Sequence, residues 1–419
     1  MKENNSYSFQ TRVIHAAQRP KGWQGATLPP IFQTASHSHE TAENLSQTFA
    51  GMTTDHIYMR LTNPTNRILE EKLTALEGGK GAVVMSSGMA AIANTCMALL
   101  RTGDEFVTGN SLFMSTYLLF ANVFKKYGIT ARFAESTDLE AIQKAINNKT
   151  RFVFLETIGN PKMDIPDLAG AAEIAHGHGI PLVVDNTLAT PYLCRPFELG
   201  ADVVLHSTTK YLSGHGDAVG GVVIDGGNFS WSRERFPDFE PFIDRKGPLA
   251  FLDKVWREHH INFGTTQAPL HAYLTMIGLD TLALRMERHV SNALEVARYL
   301  ESRPEVVCVN YPGLEDHPFR ETAEKQFGGR GFGGMIAFNL RDQAACFQFI
   351  DNLKLIYHLA NLGDCKTLVI HPYSSQYVSF EESTRQELSI TADLVRLSVG
   401  IEAVEDIFAD LGQALDNVK

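Results

Sequence analysis

The chain predicts an α/β fold, with a mostly parallel central sheet covered on both faces by helices and a smaller α+β domain after it. Three observations predict this. Between residues 81 and 224, short runs rich in β-branched residues alternate with helix-like segments. The runs are apolar throughout rather than every second residue, as strands buried on both faces require. After about residue 265 the alternation stops, and a long helical stretch precedes a second group of apolar runs.

Residues 1–60 show no clear period and are rich in Gln, Thr, Ser, Asn and His. They read as an arm lying on another surface rather than as a core of their own. A central domain over 61–265 follows. It opens with TNRILEEKLTALEGG, a helix in which Ile68, Leu69, Leu73 and Leu76 share one side and Gly78-Gly79 ends the turn. Strands are expected at GAVVM (81–85), EFVT (105–108), RFVFLE (151–156), PLVVD (181–185), ADVVLH (201–206) and GGVVI (220–224), with helices near 89–100, 138–147 and 167–178. A C-terminal domain over 266–419 begins with one helical stretch near 267–302. It continues through GGMIAFNL, LIYHLA, TLVIHP and LVRLSVG to a terminal helix at 402–418.

Composition narrows the function classes. The 419 residues are 44% hydrophobic and 20% charged, a globular balance. A formal charge of −11 without a Lys/Arg run argues against nucleic-acid binding. No apolar stretch is long enough to cross a bilayer, and the first residues carry no apolar segment of the secretory kind. The five cysteines, Cys96, Cys194, Cys308, Cys346 and Cys365, are scattered and form no CxxC pair. They read as reduced thiols, and the cytoplasm is the expected compartment.

In parallel α/β sheets, ligands collect beyond the carboxyl ends of the strands. Ser86-Ser87-Gly88-Met89 joins one strand to a helix, Asp185 ends PLVVD, and His206-Ser207-Thr208-Thr209-Lys210 ends the next strand. A small-residue turn at a helix N-terminus can hold an anion. A carboxylate can keep a ring nitrogen protonated, and an amine can condense with an aldehyde. Pyridoxal phosphate (PLP) requires all three. Each alone has a plainer reading as a helix cap, a turn residue and a solvated lysine. Competing motifs are poorer. GRGFGG (329–334) has the spacing of a dinucleotide loop but precedes a strand rather than a helix. His37/His39 and His259/His260 lack a metal-binding spacing, so no metal is expected, and no G-x-S-x-G or Walker A sequence occurs.

HSTTKYLSGHGD (206–217) resembles the Cys/Met-metabolism family of PLP enzymes, the transsulfuration group of fold type I. YMRLTNPT (58–65), SSGMAA (86–91), GNPKM (159–163), VVDNTLATPYL (183–193) and LVRLSVGIE (394–402) extend the likeness over nearly the whole chain. The resemblance implies that Lys210 carries PLP as a Schiff base and moves protons, with Phe113 and Tyr58 beside it in the catalytic set. Asp185 would pair with the pyridinium nitrogen and Asn160 would lie near the phenolic oxygen. Ser87, Gly88, Met89, Ser207 and Thr209 would hold the phosphate. Tyr58 and Arg60 would reach the phosphate of a neighbouring subunit, implying an oligomer, expected as a homotetramer of two active dimers. Arg396 would clamp the substrate carboxylate bidentately.

Three positions depart from the family pattern. Phe113 stands where Tyr is usual, and phenylalanine can stack but cannot donate a proton. Tyr117, four residues on, is a candidate substitute. Ser115 replaces the cysteine of methionine γ-lyases, and Tyr377 replaces the usual His of the HPxSTTH stretch. ANLGDCKTLVIHP (360–372), with Asn361, resembles the form found in O-acetylhomoserine sulfhydrylases, and NFSWSRERFPDFEPF (228–242) resembles a shortened version of their insertion. The implied reaction is γ-replacement on an O-acylhomoserine by sulfide or a thiol to give homocysteine, with methionine γ-lyase and cystathionine γ-synthase as the alternatives.

Overall fold

The computed structural model describes residues 7–418. Its larger sheet contains β1 (Gly81–Met85), β2 (Glu105–Gly109), β3 (Thr130–Ala134), β4 (Thr150–Glu156), β5 (Leu182–Asp185), β6 (Val203–Ser207) and β7 (Gly221–Asp225). The spatial order is β1-β7-β6-β5-β4-β2-β3. Strands β3 to β6 and β2 run parallel, whereas β7 is antiparallel to both β1 and β6. A direct β6–β7 connection without a crossover helix permits that reversal. The connection is residues 208–220, which include Lys210.

Both faces of this sheet are buried, as the unbroken apolar runs demand. Val84, Val153, Val184, Val204 and Val222 pack on one side with Leu69, Leu73 and Leu76 of the Pro64–Glu77 helix. Asn63 caps that helix through Thr65 N–H and Asn66 N–H, and Gly78, at φ +86°, ends it. On the opposite side Val83, Phe152, Phe154, Val183, Val203 and Leu205 pack with Ala91, Ile92 and Cys96 of the Gly88–Leu99 helix. Strand β3 escaped sequence detection because it is an edge strand whose first four residues are only partly covered, so TARFA carries little hydrophobic contrast.

The second sheet holds β8 (Cys308–Asn310), β9 (Met335–Asn339), β10 (Tyr357–His358), β11 (Leu368–Ile370) and β12 (Leu394–Ser398), in the order β10-β11-β12-β9-β8. Its core joins Ile336, Phe338, Val395 and Leu397 to Val296, Leu300, Ile407 and Leu411. The stretch expected as one helix over 267–302 is two, Pro269–Asp280 and Leu282–Glu301. Thr281 leaves helical geometry, and the Arg285 guanidinium donates to the freed Gly278 carbonyl at 2.7 Å.

The N-terminal stretch is more ordered than its composition indicated. Phe9–His15 and Ala42–Phe49 are helices, and Val13 of the first is buried against the core of its own chain. Between and beyond them Leu28, Ile31, Phe32 and Met52 remain exposed, as does Phe49 at the end of the second helix.

Candidate active site

The carboxyl ends of β4, β5 and β6 place Glu156, Asp185 and Ser207 on the same face of the sheet, by the two-residue alternation that also turns Phe154, Val183 and Leu205 that way. Asp185 Oδ1 accepts from the Thr187 hydroxyl at 2.5 Å and the Thr187 N–H at 3.0 Å. The Thr187 hydroxyl oxygen in turn accepts the Ser207 N–H at 2.8 Å, tying the ends of β5 and β6 together. Burial pushes the Asp185 carboxyl up, while the two Thr187 donors and then His206 pull it back.

Ser87 caps the Gly88–Leu99 helix by accepting the Ala90 N–H at 3.0 Å. Gly88 is pressed against Ser207: a Cβ there would lie 2.7 Å from Ser207 Cβ. Across the turn, a Cβ on Gly221 would lie 2.2 Å from the Ser87 carbonyl oxygen. Only residues without side chains let the helix N-terminus and the β6 turn meet this closely. Thr209 belongs to the same turn, its hydroxyl accepting from Gly220 N–H and donating to Gly220 O. Met89 faces Thr116, whose hydroxyl lies 3.8 Å from its sulfur.

A connected chain of polar groups joins this wall to the smaller sheet. Lys210 Nζ donates to Asn361 Oδ1 at 2.6 Å. Arg396, buried within β12, donates from one terminal nitrogen to Asn361 O at 3.2 Å and from the other to Asn160 Oδ1 at 3.1 Å. Burial, and then the Arg396 charge, lowers the Lys210 ammonium to about 8. Burial likewise lowers Arg396 to about 10. A lysine so shifted offers a far larger neutral fraction near neutrality, the form that attacks carbonyl carbon.

Phe113 precedes the Met114–Leu118 helix, and its N–H donates to Glu156 Oε1 at 2.7 Å. Tyr117 does not fill the gap left at 113. Its ring packs on Phe133 at 4.9 Å and Phe380 at 5.5 Å, and its hydroxyl is engaged with Thr384. Phe113 is the non-helical N-cap of that helix, at ψ 137°, so the four-residue spacing does not by itself stack the two rings, and Tyr117 lies in an aromatic cluster. Tyr377 is the phenol that comes close: it is buried, with its hydroxyl 3.5 Å from the carbonyl of Leu112.

Tyr58 and Arg60 stand apart from this set. Arg60 lies over the Tyr58 ring at 5.6 Å and donates to Ile261 O at 2.8 Å, and Tyr58 is 43% exposed. They abut the site only indirectly, since the same segment supplies Thr265 O, which accepts the Ser86 N–H.

Sequence reasoning missed Glu156 and Thr187. Glu156 had the signal that flagged Asp185, an acid ending an apolar strand, at RFVFLE. Thr187 had none, because a threonine in a turn ordinarily bonds only its own backbone.

A helix N-terminus, a close glycine–serine approach, a buried acid and a depressed lysine fit a phosphorylated aldehyde ring on observations of the fold itself. The profile of the Cys/Met metabolism PLP-dependent enzyme family matches residues 10–416. The chain is 40% identical to the homocysteine/cysteine synthase of Saccharomyces cerevisiae, covering 98% of each. It is 39% identical to the L-methionine gamma-lyase of Pseudomonas putida, again over 98% of each. A crystal structure assigned as an O-acetylhomoserine (thiol)-lyase of Campylobacter jejuni, which carries a pyridoxyl-lysine monophosphate, superposes with a TM-score of 0.93. Its identity is 32%, over 98% of this chain and 100% of that one. The chain belongs to the Cys/Met metabolism family of PLP-dependent enzymes.

Proposed function

We propose that this PLP-dependent enzyme catalyses γ-replacement on an O-acylhomoserine, with O-acetylhomoserine the first choice: sulfide or a thiol displaces the acyl group, and sulfide gives homocysteine. The Cγ–O bond breaks and a Cγ–S bond forms. The leaving carboxylate carries away the electron pair, and the thiol proton of sulfide is released. The observation that carries the reading is the chain Lys210–Asn361–Arg396–Asn160, which puts an amine of lowered basicity beside a buried guanidinium. Arg396 holds the substrate carboxylate, and Lys210 moves a proton between Cα and the γ side. When bound, PLP supplies the electron sink for Cα deprotonation. Asp185 keeps its ring nitrogen protonated, Asn160 lies near its phenolic oxygen, and Ser87, Gly88, Met89, Ser207 and Thr209 cradle its phosphate.

An acyl leaving group departs as a carboxylate and needs no proton. That chemistry suits Phe113, which has none to give, better than a thiolate does. Displacing methanethiol in a γ-lyase reaction makes the greater demand for an acid. Tyr58 and Arg60 complete the phosphate site of a neighbouring subunit, so the working unit is a dimer and the assembly a tetramer of two such dimers. Their exposure, and the exposed Leu28, Ile31 and Phe32 nearby in the chain, support this. The cysteines, all free among the described residues, support a cytoplasmic location.

The deciding experiment incubates the purified enzyme with O-acetylhomoserine, with and without sulfide. Sulfide-dependent homocysteine is expected. Release of 2-oxobutanoate from methionine without sulfide-dependent homocysteine would assign a γ-lyase instead, and cystathionine formation preferred over homocysteine when cysteine competes would assign a γ-synthase.

A further inference from the structure

Glu156 and Asp185 are partners in register on adjacent parallel strands, so their carboxyl groups point to one face at one height. Their surroundings differ. Asp185 has two donors from Thr187 and a histidine, His206, acting on it from β6. Glu156 has the Phe113 N–H at 2.7 Å, and the charged groups acting on it are two acids, Asp185 on β5 and Asp164 beyond β4. Asp164 is itself buried and bonded to the Ser111 hydroxyl. Tyr377, from the C-terminal segment, faces the same region.

Two neighbouring carboxyl groups do not both ionise readily in a buried site. The donor-rich one keeps the charge. Burial first, and then the Asp185 charge, raises Glu156 well above the usual carboxylate range.

We infer that Glu156 is a positioning residue of the cofactor site: its carboxyl fixes the backbone of Phe113 at the edge of that site, and it leaves the negative charge of the site on Asp185. The inference rests on the cofactor placement proposed above. It gives Glu156 work that a glutamine can do and an alanine cannot. Glutamine keeps an oxygen for the Phe113 N–H and carries no charge; alanine leaves that N–H unpaired.

The test compares Glu156→Gln, Glu156→Ala and Asp185→Asn with the wild-type holoenzyme. It reads the pH titration of the cofactor's visible absorption, its induced circular dichroism and its release rate into a trap. Glu156→Gln should leave the titration unmoved and release within about twofold, whereas Glu156→Ala should release the cofactor about tenfold faster with weakened dichroism. The infrared spectrum of the apoprotein at neutral pH should contain a protonated-carboxyl C=O stretch that Glu156→Gln removes. A titration shift in Glu156→Gln like that of Asp185→Asn overturns the inference, as does an alanine variant indistinguishable from wild type. Should the alanine variant prove unfolded by its apoprotein melting curve, the infrared band decides, and its absence from the wild type overturns the inference. A Lys210→Ala protein that keeps a borohydride-sensitive band would instead place the failure in the cofactor assignment.

Discussion

The two walls of the active site are built differently. The wall on the large sheet uses short side chains at strand ends: Asp185, Ser207 and the Ser87–Gly88 turn, locked by bonds of 2.5 to 3.0 Å and by approaches that admit no Cβ. The wall on the small sheet uses longer side chains, Arg396 and Tyr377, whose contacts to Asn160, Asn361 and Leu112 run from 3.1 to 3.5 Å. Rigid, short groups suit a cofactor that stays. Longer groups with looser contacts suit a substrate that comes and goes. The motifs that resemble the family lie on both walls, SSGMAA and HSTTK on the large sheet and LVRLSVGIE on the small one, while Phe113 and Tyr377 depart from the pattern.

Variants can break that division or sharpen it. Lys210 belongs to both walls, through its turn and through Asn361, so Lys210→Ala has the largest expected effect. It should abolish the borohydride-sensitive visible band and lower turnover by roughly 10²–10⁴-fold, the range for a lost proton carrier. A retained band would break the comparison at its base. Arg396→Lys should fall first on the substrate wall, because the side chain reaches the cofactor side only through Asn160 and Asn361 and the positive charge is kept. A single ammonium replaces a bidentate fork, and KM for O-acetylhomoserine should rise roughly 10- to 100-fold while the cofactor spectrum stays unchanged. A changed spectrum would show that the walls are not separable.

Tyr377→Phe is the sharper probe, because it removes one buried hydroxyl without emptying volume. A rise in KM of up to about tenfold, with unchanged cofactor release, would place that phenol on the substrate side. No change in either would confine it to packing on Phe380, 5.1 Å away. The smallest effect is on pH. Reaction of the apoprotein with pyridoxal phosphate requires the neutral Lys210 amine, whose fraction grows as pH passes about 8 and then saturates. The reconstitution rate should therefore level off above that pH. A lysine at its ordinary 10.5 would show a rate still climbing there.

How much of this was legible beforehand depended on the range over which each feature is encoded. Strand and helix positions in the large sheet are local, because a buried strand must be apolar at every residue and a helix must cap. GAVVM is β1 residue for residue, and PLVVD differs from β5 by one. Asp185 and Lys210 were visible because strand ends are where such a sheet collects ligands. The break at Thr281 was not visible, since it depends on Arg285 reaching Gly278 O and on the ion pair between Lys72 and Asp280, 208 residues apart.

The sequence by itself determined the class of protein: alternating apolar runs impose the layered sheet, the residues at its strand ends are compatible with PLP, and the motifs that resemble the Cys/Met-metabolism family identify the cofactor. The tertiary structure alone decided which carboxyl group has the more donors, Asp185 with two against one for Glu156, and where Tyr117 points. It also brought the Tyr377 hydroxyl to the carbonyl of Leu112, next to Phe113 in the chain. Charge and orientation depend on burial and on neighbours distant in the chain, such as Glu156 beside Asp185 and Tyr377 beside Leu112, and spacing along a sequence does not encode those distances.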